Sequence, residues 1–340
     1  MESTFQQALS LQKAGRFDEA EPLYLQAADW KPEWALGNLG VIYRTTGRLA
    51  EAEAVLRRAL AAAPGNLPVR HSLGMTLLQL GQYAEGWRHY EARHQLTPPI
   101  AAPLPLWRGE SLAGRRIVVV GEQGLGDQIL LSRFIPLLAG RAGEVVLVTS
   151  RSLVRLFGHL PARVLYPEDW EEIGGDCWIP LGSVPRWLEA GPRDAPAPTL
   201  PSFSAGGACS GVGLMLQGAA GNANNPRRLP DPAVARAIRG LTDFTDLSPA
   251  ATGAADFADT AKIVAGLERV VTVDTSVAHL AGAMGKPCWI LMARPAIDWY
   301  ANWHDDRTPW YPSVRLLRQP TPGAWVSVLL ALDAALKTPL

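Results

Sequence analysis

The first ninety residues carry an internal repeat, and this feature limits the fold more than any other. The segment 15–20 (GRFDEA) recurs as GRLAEA at 47–52 and as GQYAEG at 81–86. Each copy has a small residue seven positions before its first glycine and an aromatic residue or leucine nine positions after it, namely Ala8 and Tyr24, Gly40 and Leu56, and Gly74 and Tyr90. The copies begin 32 and 34 residues apart. Repeats of about this length are typical of stacked helix–turn–helix units, with small residues where two helices touch. We therefore predict an all-helical array over residues 1–96.

This pattern resembles the tetratricopeptide repeat, in about three copies, which is the minimum for a stable stack. The resemblance implies a concave groove that binds a protein or peptide client. A packing or dimerisation module without a client is the alternative, and the repeats alone do not decide between them.

Composition limits the classes of function. The 32 basic residues are balanced by 32 acidic ones, which argues against a partner such as nucleic acid or a membrane surface. No apolar run approaches the ~20 residues that cross a bilayer, and the N-terminus lacks the pattern of a secretory signal. The three cysteines lack metal-type spacing and there is no HExxH motif, so we expect a cytoplasmic protein without disulfides or a metal site.

After a Pro-rich linker at 97–110, strand and helix patterns alternate. Apolar runs at 117–121, 144–149 and 163–166 are predicted strands, helical spacing covers 128–138 and 152–157, and 177–186 is predicted to be a loop. A Pro/Ala/Gly-rich hinge is expected at 191–210, and a second alternation fills 211–340. Such alternation favours parallel sheets. We predict two Rossmann-like halves, 111–190 and 211–340, that face a cleft.

The stretch 269–292 is predicted to be a strand–helix–strand unit. Asp274, Thr275 and Ser276 follow the first strand and offer side-chain oxygens where the helix begins. Because a helix N-terminus at the carboxyl edge of a sheet favours anions, this turn is a candidate phosphate site, with His279 in the first turns of the helix. An ordinary capped helix with a structural histidine is the alternative.

A second candidate turn follows the strand at 117–121. Gly121, Gly124, Gly126 and Asp127 form a GxxGxGD pattern, which is neither the dinucleotide fingerprint nor a P-loop. Asp127 could cap its helix or act as a general base. In the second half, Arg227 and Arg228 end an Asn-rich loop and could either pair with a diphosphate or be solvated.

Together these pieces resemble the glycosyltransferase family 9 domain, as in bacterial heptosyltransferases. The resemblance rests on DTSxxHLAGAxGxP at 274–287 with GLGD at 124–127. DW at 298–299 and PWYPSVRLLRQ at 309–319 resemble the subgroup in which this domain follows tetratricopeptide repeats. The layout, with the domain after tetratricopeptide repeats, is also similar to O-GlcNAc transferase. The resemblance implies a GT-B fold and inverting, metal-independent transfer from a nucleotide-diphosphate sugar, without a cofactor.

The resemblance also assigns roles. The half at 111–190 is the acceptor side, with Gly124, Leu125 and Gly126 in its loop and Asp127 as base. The half at 211–340 is the nucleotide-sugar side, with the diphosphate near Asp274, Thr275, Ser276, His279, Arg227, Arg228 and Gln217.

Two departures from the family pattern support a rival interpretation. The family usually has a Trp-containing loop where this chain has Leu216, Gln217 and Gly218, and the catalytic portion is short. The rival is a non-catalytic adaptor that binds through its repeats and keeps a degenerate transferase domain. The hypothesis of an NAD(P)-dependent enzyme has less support, because the glycines do not follow the GxGxxG order of the dinucleotide fingerprint.

Overall fold

The computed structural model describes residues 1–100, 102–168, 173–205, 210–218, 231–294, 298–301 and 305–338. The chain divides into two compact units. The repeat unit comprises Met1–Pro98 together with Pro295–His304, and the α/β unit comprises Pro99–Arg294 together with Asp305–Leu340.

The repeat unit is built from antiparallel helix pairs, which confirms the predicted helical array. Its helices are α1 (Glu2–Lys13), α2 (Phe17–Ala27), α3 (Pro32–Thr46), α4 (Leu49–Ala62), α5 (Leu67–Gln79), α6 (Tyr83–Tyr90) and α7 (Arg93–Leu96). The pairs α1–α2, α3–α4 and α5–α6 turn at Gly15, Gly47 and Gly81, whose φ angles of 75°, 87° and 77° favour glycine. The glycine that opens each repeat therefore makes the turn between paired helices.

The small residues of the repeat lie where paired helices touch. A Cβ atom on Gly74 would lie 2.6 Å from the backbone nitrogen of Tyr90, and one on Gly40 would collide with the Leu56 side chain. Ala8 occupies the equivalent place in the first pair and is fully buried. The spacing of small residues thus reports real helix–helix contacts.

The first sheet of the α/β unit has the order β3-β2-β1-β4, and all its strands are parallel. Its elements are β1 (Arg116–Val120), α8 (Leu125–Leu131), α9 (Ile135–Ala139), β2 (Glu144–Val148), α10 (Arg151–Phe157), β3 (Arg163–Leu165), β4 (Cys177–Pro180) and α11 (Val184–Leu188). The predicted helix at 128–138 is interrupted, because a 3₁₀ turn at Ser132–Phe134 separates α8 from α9.

The predicted loop at 177–186 was wrong. Residues Cys177–Pro180 form an edge strand, and Val184–Leu188 form a helix. Both prolines of this stretch stand where regular structure tolerates them, since Pro180 ends the strand and Pro185 lies in the first helical turn. Part of the predicted linker covers the free edge of β4: Trp178 donates its backbone N–H to Pro105 O at 2.9 Å.

The second sheet has the order β6-β5-β7-β8-β9 and is also parallel. Its elements are β5 (Val212–Met215), α12 (Pro232–Arg239), β6 (Phe244–Asp246), α13 (Pro249–Thr252), α14 (Phe257–Gly266), β7 (Arg269–Val273), α15 (Ser276–Ala283), β8 (Cys288–Met292), β9 (Val314–Arg318) and α16 (Trp325–Lys337). Every residue of β7 is buried, as expected for a central strand covered on both faces. The two parallel sheets confirm the predicted α/β class.

Residues 191–205 of the expected hinge are hydrogen-bonded to α15, a helix of the second sheet's half. Thr199 and Leu200 donate their backbone N–H groups to Ala283 O, at 2.8 and 3.0 Å. None of the helices in the described ranges combines the length and apolar character that crossing a membrane requires.

Candidate functional site

The turn between β7 and α15 begins the helix as the sequence predicts. Thr275 is the N-cap, and its Oγ1 accepts from the backbone N–H of Val277 at 3.3 Å. The same hydroxyl lies 3.1 Å from Oγ1 of Thr272. Asp274 and Thr275 are only 7% and 8% exposed, whereas Ser276 is half-buried. Of the two hydroxyl residues, Thr275 is thus engaged in capping, and Ser276 is the more accessible to a ligand.

The turn between β1 and α8 holds the other candidate residues. Gly124 is the N-cap of α8, and the Oδ2 atom of Asp127 accepts from its backbone N–H at 3.1 Å. Asp127 therefore caps its own helix, which was one of its two predicted roles. The Asp127 side chain is half-buried.

Gln128, the next residue, anchors this turn to the neighbouring strand. Its Oε1 atom accepts from Thr149 Oγ1 at 2.7 Å, at the carboxyl end of β2. Glu122 extends the network on the other side, because its Oε1 atom accepts from the backbone N–H of Gly182 at 2.9 Å. The glycine-rich turn is therefore held from both flanking strands, β2 and β4.

The structure brings the two turns together, because α8 of the first sheet packs directly on α15 of the second. They approach closely at Gly126, where an added Cβ would lie 2.5 Å from Cδ2 of His279. His279 is 5% exposed, and its Nδ1 atom lies 3.1 Å from the Tyr311 hydroxyl. The imidazole is thus fixed between a backbone and a phenol.

Tyr311 connects the site to a buried arginine that sequence reasoning missed. Arg133 is 3% exposed, donates from Nη1 to Trp310 O at 3.0 Å, and lies 5.0 Å from the centre of the Tyr311 ring. Burial lowers the pKa of Arg133, and Tyr311 opposes that shift. Burial raises the pKa of Tyr311, Arg133 lowers it, and the nearby charge of Asp127 adds to the rise.

This pair left a weak trace in the sequence. Trp310 and Tyr311 belong to the aromatic stretch that follows β8, and their type suggested either core or a cleft edge. Arg133 lies within an otherwise apolar helical stretch. A charged residue in such a stretch is expected to have a specific buried partner, and this was the sequence signal that could have identified it.

The other candidates lie apart from this contact or outside the description. Gln217 is exposed, just after β5. Arg227 and Arg228 lie outside the described residues. A cavity of about 590 Å³ opens near the carboxyl end of β6, lined among others by Asp246, Gly253 and Lys262. Among the described residues, no three His, Cys, Asp or Glu side chains converge as a metal site would require.

Comparison with known proteins identifies the repeats, and matches that cover most of the chain have low sequence identity. The tetratricopeptide repeat model matches residues 5–66, the first two helix pairs. Protein FlbA of Caulobacter vibrioides is 26% identical over 352 aligned positions, which cover 85% of this chain and 58% of that protein. The chain thus spans little more than half the length of this relative.

Among solved structures, a mutant O-GlcNAc transferase of Thermobaculum terrenum aligns with 98% of this chain and 91% of its own, at 16% identity and a TM-score of 0.28. A superposition at that level does not establish a shared fold. The architecture therefore rests on the helix pairs and sheet orders of the chain itself.

Proposed function

We propose that the protein is a glycosyltransferase that moves a sugar from a nucleotide-diphosphate sugar to an acceptor. The observation that carries the proposal is the contact of Gly126 with His279, which joins the Gly-Leu-Gly-Asp turn of one parallel sheet to the Asp-Thr-Ser helix of the other. Ligands of parallel α/β sheets bind at the carboxyl ends of the strands, where both turns lie. The sequence resemblance to glycosyltransferase family 9 points to the same two turns.

On the donor side, the diphosphate would lie at the N-terminus of α15. The backbone N–H groups there and the helix dipole favour an anion, and Ser276 adds a half-buried hydroxyl. We propose that Asp274, Thr275 and His279 shape this end of the site, with Gln217 near the donor. Arg227 and Arg228 would supply the charge that neutralises the leaving diphosphate, so that no metal or cofactor is needed.

On the acceptor side, Asp127 would act as the general base. Attack by an acceptor hydroxyl on the anomeric carbon requires removal of its proton, and direct displacement by that oxygen inverts the configuration. An ionised carboxylate accepts protons, which suits this role. The acceptor would be a protein or peptide bound by the repeat unit, and the reaction would take place in the cytoplasm.

A non-catalytic adaptor is the second candidate, and one observation favours it. The hydroxyl of Thr275, which the family resemblance assigns to the diphosphate, is buried and bonded to Thr272 and to the backbone N–H of Val277. In an adaptor the same turn would be a purely structural helix cap.

Nucleotide binding separates the two candidates. The purified chain is heated with UDP, ADP, GDP and their common sugars, and a ligand at a hundredfold excess over Kd should stabilise it by about 2.7 kcal/mol. Ser276→Asp and Ser276→Ala form a matched pair. An aspartate in the first turn favours the helix dipole by about 0.3–1 kcal/mol but repels a diphosphate. We expect Ser276→Asp to lose the ligand-induced shift without loss of stability, and Ser276→Ala to retain most of it.

Catalysis is tested with Asp127→Asn. The amide oxygen can still accept from Gly124 N–H, so the fold should persist, whereas loss of a general base slows transfer by about 10²–10⁴-fold. We expect Asp127→Asn to keep the nucleotide-induced shift and lose transfer to an identified acceptor. Full transfer would contradict the assignment of the base, and the absence of a shift with every nucleotide would favour the adaptor.

A further inference from the structure

The repeat unit holds a segment of the chain that lies far away in sequence. Residues 298–301, which follow β8, belong to the same compact unit as the helices α1 to α7. Trp299, Tyr300 and Ala301 are each no more than 5% exposed. Four consecutive residues of irregular backbone are thus seated on the helical array as a bound peptide would be.

Aromatic side chains of α6 receive Trp299. Its ring lies 5.3 Å from that of Trp87 at an interplanar angle of 73°, and 6.2 Å from that of Tyr90. Trp87 is 1% exposed and Tyr90 is 3% exposed. His71 of α5 stacks on the other ring of this group, Tyr90, at 5.5 Å and 28°. These aromatic contacts form a pocket for one large apolar side chain.

Polar groups of α3 and α5 recognise the residue before it. The Nε2 atom of Gln79 donates to the backbone carbonyl of Asp298 at 3.2 Å. Arg44 is 6% exposed; burial lowers its pKa to about 10, and the charge of Asp298 opposes that shift. Arg44 and Arg93 also help burial to lower the pKa of His71 to about 4. Arg44 is therefore a buried cation whose charge the Asp298 carboxylate offsets, whereas Arg93 pairs with Glu91 at 3.0 Å.

We propose that this groove, lined by Arg44, His71, Gln79, Trp87 and Tyr90, is a recognition site for a peptide segment in which aspartate precedes tryptophan. Residues 298–301 are its internal occupant. A protein partner that presents an Asp-aromatic segment binds by displacing them. The inference does not depend on whether the α/β unit is a transferase.

Tethering explains how such a site is regulated. A segment on the same chain competes at an effective concentration in the millimolar range. A free peptide of the same sequence therefore binds the intact protein weakly, and it binds strongly once the internal segment has lost its anchor. Only partners that bind the groove strongly enough to displace residues 298–301 should therefore bind the intact protein.

The test uses the full chain and a fluorescent probe peptide, PAIDWYANWH, which copies residues 295–304. We expect Trp299→Ala to bind the probe at least about tenfold more tightly than the wild type, because its own groove is vacated. Adding Arg44→Gln to that variant should reverse the gain. A probe with Asn in place of the Asp should bind Trp299→Ala weakly. Trp30→Ala removes an exposed tryptophan of the same unit and should behave as wild type.

A second opening variant guards against loss of fold. Asp298→Ala removes the carboxylate and keeps the aromatic anchor, and far-UV circular dichroism checks both variants for native helix content. Failure of both folded variants to bind the probe at about 1 mM, the effective concentration of a tethered segment, would overturn the proposal. Equal binding of the Asp and Asn probes would overturn the assigned role of the carboxylate.

Discussion

A single methyl group at Gly126 should disturb the contact between the two sheets of the α/β unit. In Gly126→Ala, the new Cβ would lie 2.5 Å from Cδ2 and 3.1 Å from Nε2 of His279. Non-bonded carbon atoms prefer about 3.5–4.0 Å, so the helix or the imidazole must move by roughly 1 Å. The imidazole resists movement because its Nδ1 atom is bonded to Tyr311.

The size of the effect follows from two opposing contributions. Overpacking a close contact costs about 1–3 kcal/mol. Alanine recovers up to about 1 kcal/mol over glycine within a helix, and less in the first turn, where Gly126 lies. We expect a net loss of about 1–2 kcal/mol, which lowers the melting temperature of a unit of this size by about 2–8 °C. Nucleotide binding at the proposed site should weaken as well.

Calorimetry of a double-mutant cycle isolates the contact. His279→Ala removes the obstacle, so Gly126→Ala should cost little in its presence and the two substitutions should couple by about 1 kcal/mol or more. Gly124→Ala is the matched control, because its Cβ would meet only the Oδ2 atom of Asp127, at 3.2 Å. Strict additivity of Gly126→Ala and His279→Ala, or an unchanged melting temperature for Gly126→Ala, would refute this reasoning.

Three further predictions concern stability. Burial lowers the pKa of His71 from its ordinary 6.5 to about 4, so below pH 6.5 the unfolded chain binds a proton that the folded chain does not. The free energy of unfolding should therefore fall by no more than ~3 kcal/mol as the pH drops from 6.5 to 4. Urea unfolding should show a weaker dependence of this free energy on pH for His71→Gln. Gly74→Ala should cost about 1–3 kcal/mol and more than Gly40→Ala in the same assay, because backbone blocks the first Cβ and a movable leucine side chain blocks the second; equal costs would contradict this. Arg155→Ala should lower the free energy of unfolding only slightly, because the guanidinium that pairs with Asp256, the N-cap of α14, and with Asp259 is 53% exposed, and the loss should shrink in high salt.

Local patterns predicted the second sheet's core better than the first sheet's edge. The strand β7 and the hydroxyl cap at Thr275 each report a local preference, and both lie where expected. The strand at Cys177–Pro180 was missed because its proline reads as a breaker when the position of a strand within the sheet is unknown. Only the sheet order shows that β4 is an edge, where a proline is tolerated.

The candidate site shows a second limit of sequence reasoning. The positions of Asp127 and Thr275 at helix starts could be predicted, since each depends on its own turn. The packing of Gly126 on His279, and of Arg133 on Tyr311, joins residues more than 150 positions apart. Periodicity states that a side chain is buried but does not identify the residue that buries it.

The groove of the repeat unit likewise depends on contacts between residues far apart in the sequence. In the repeat pattern, Arg44 and Gln79 lie outside the small and apolar positions that join helix pairs, and such polar side chains normally face solvent. In the structure both are 6% exposed, and the carbonyl that Gln79 contacts lies 219 positions away. Buried polar side chains at such positions therefore indicate that another segment of the chain covers them. For this chain that segment is 298–301, in which Asp298 supplies the charge and Trp299 the ring that the groove accommodates.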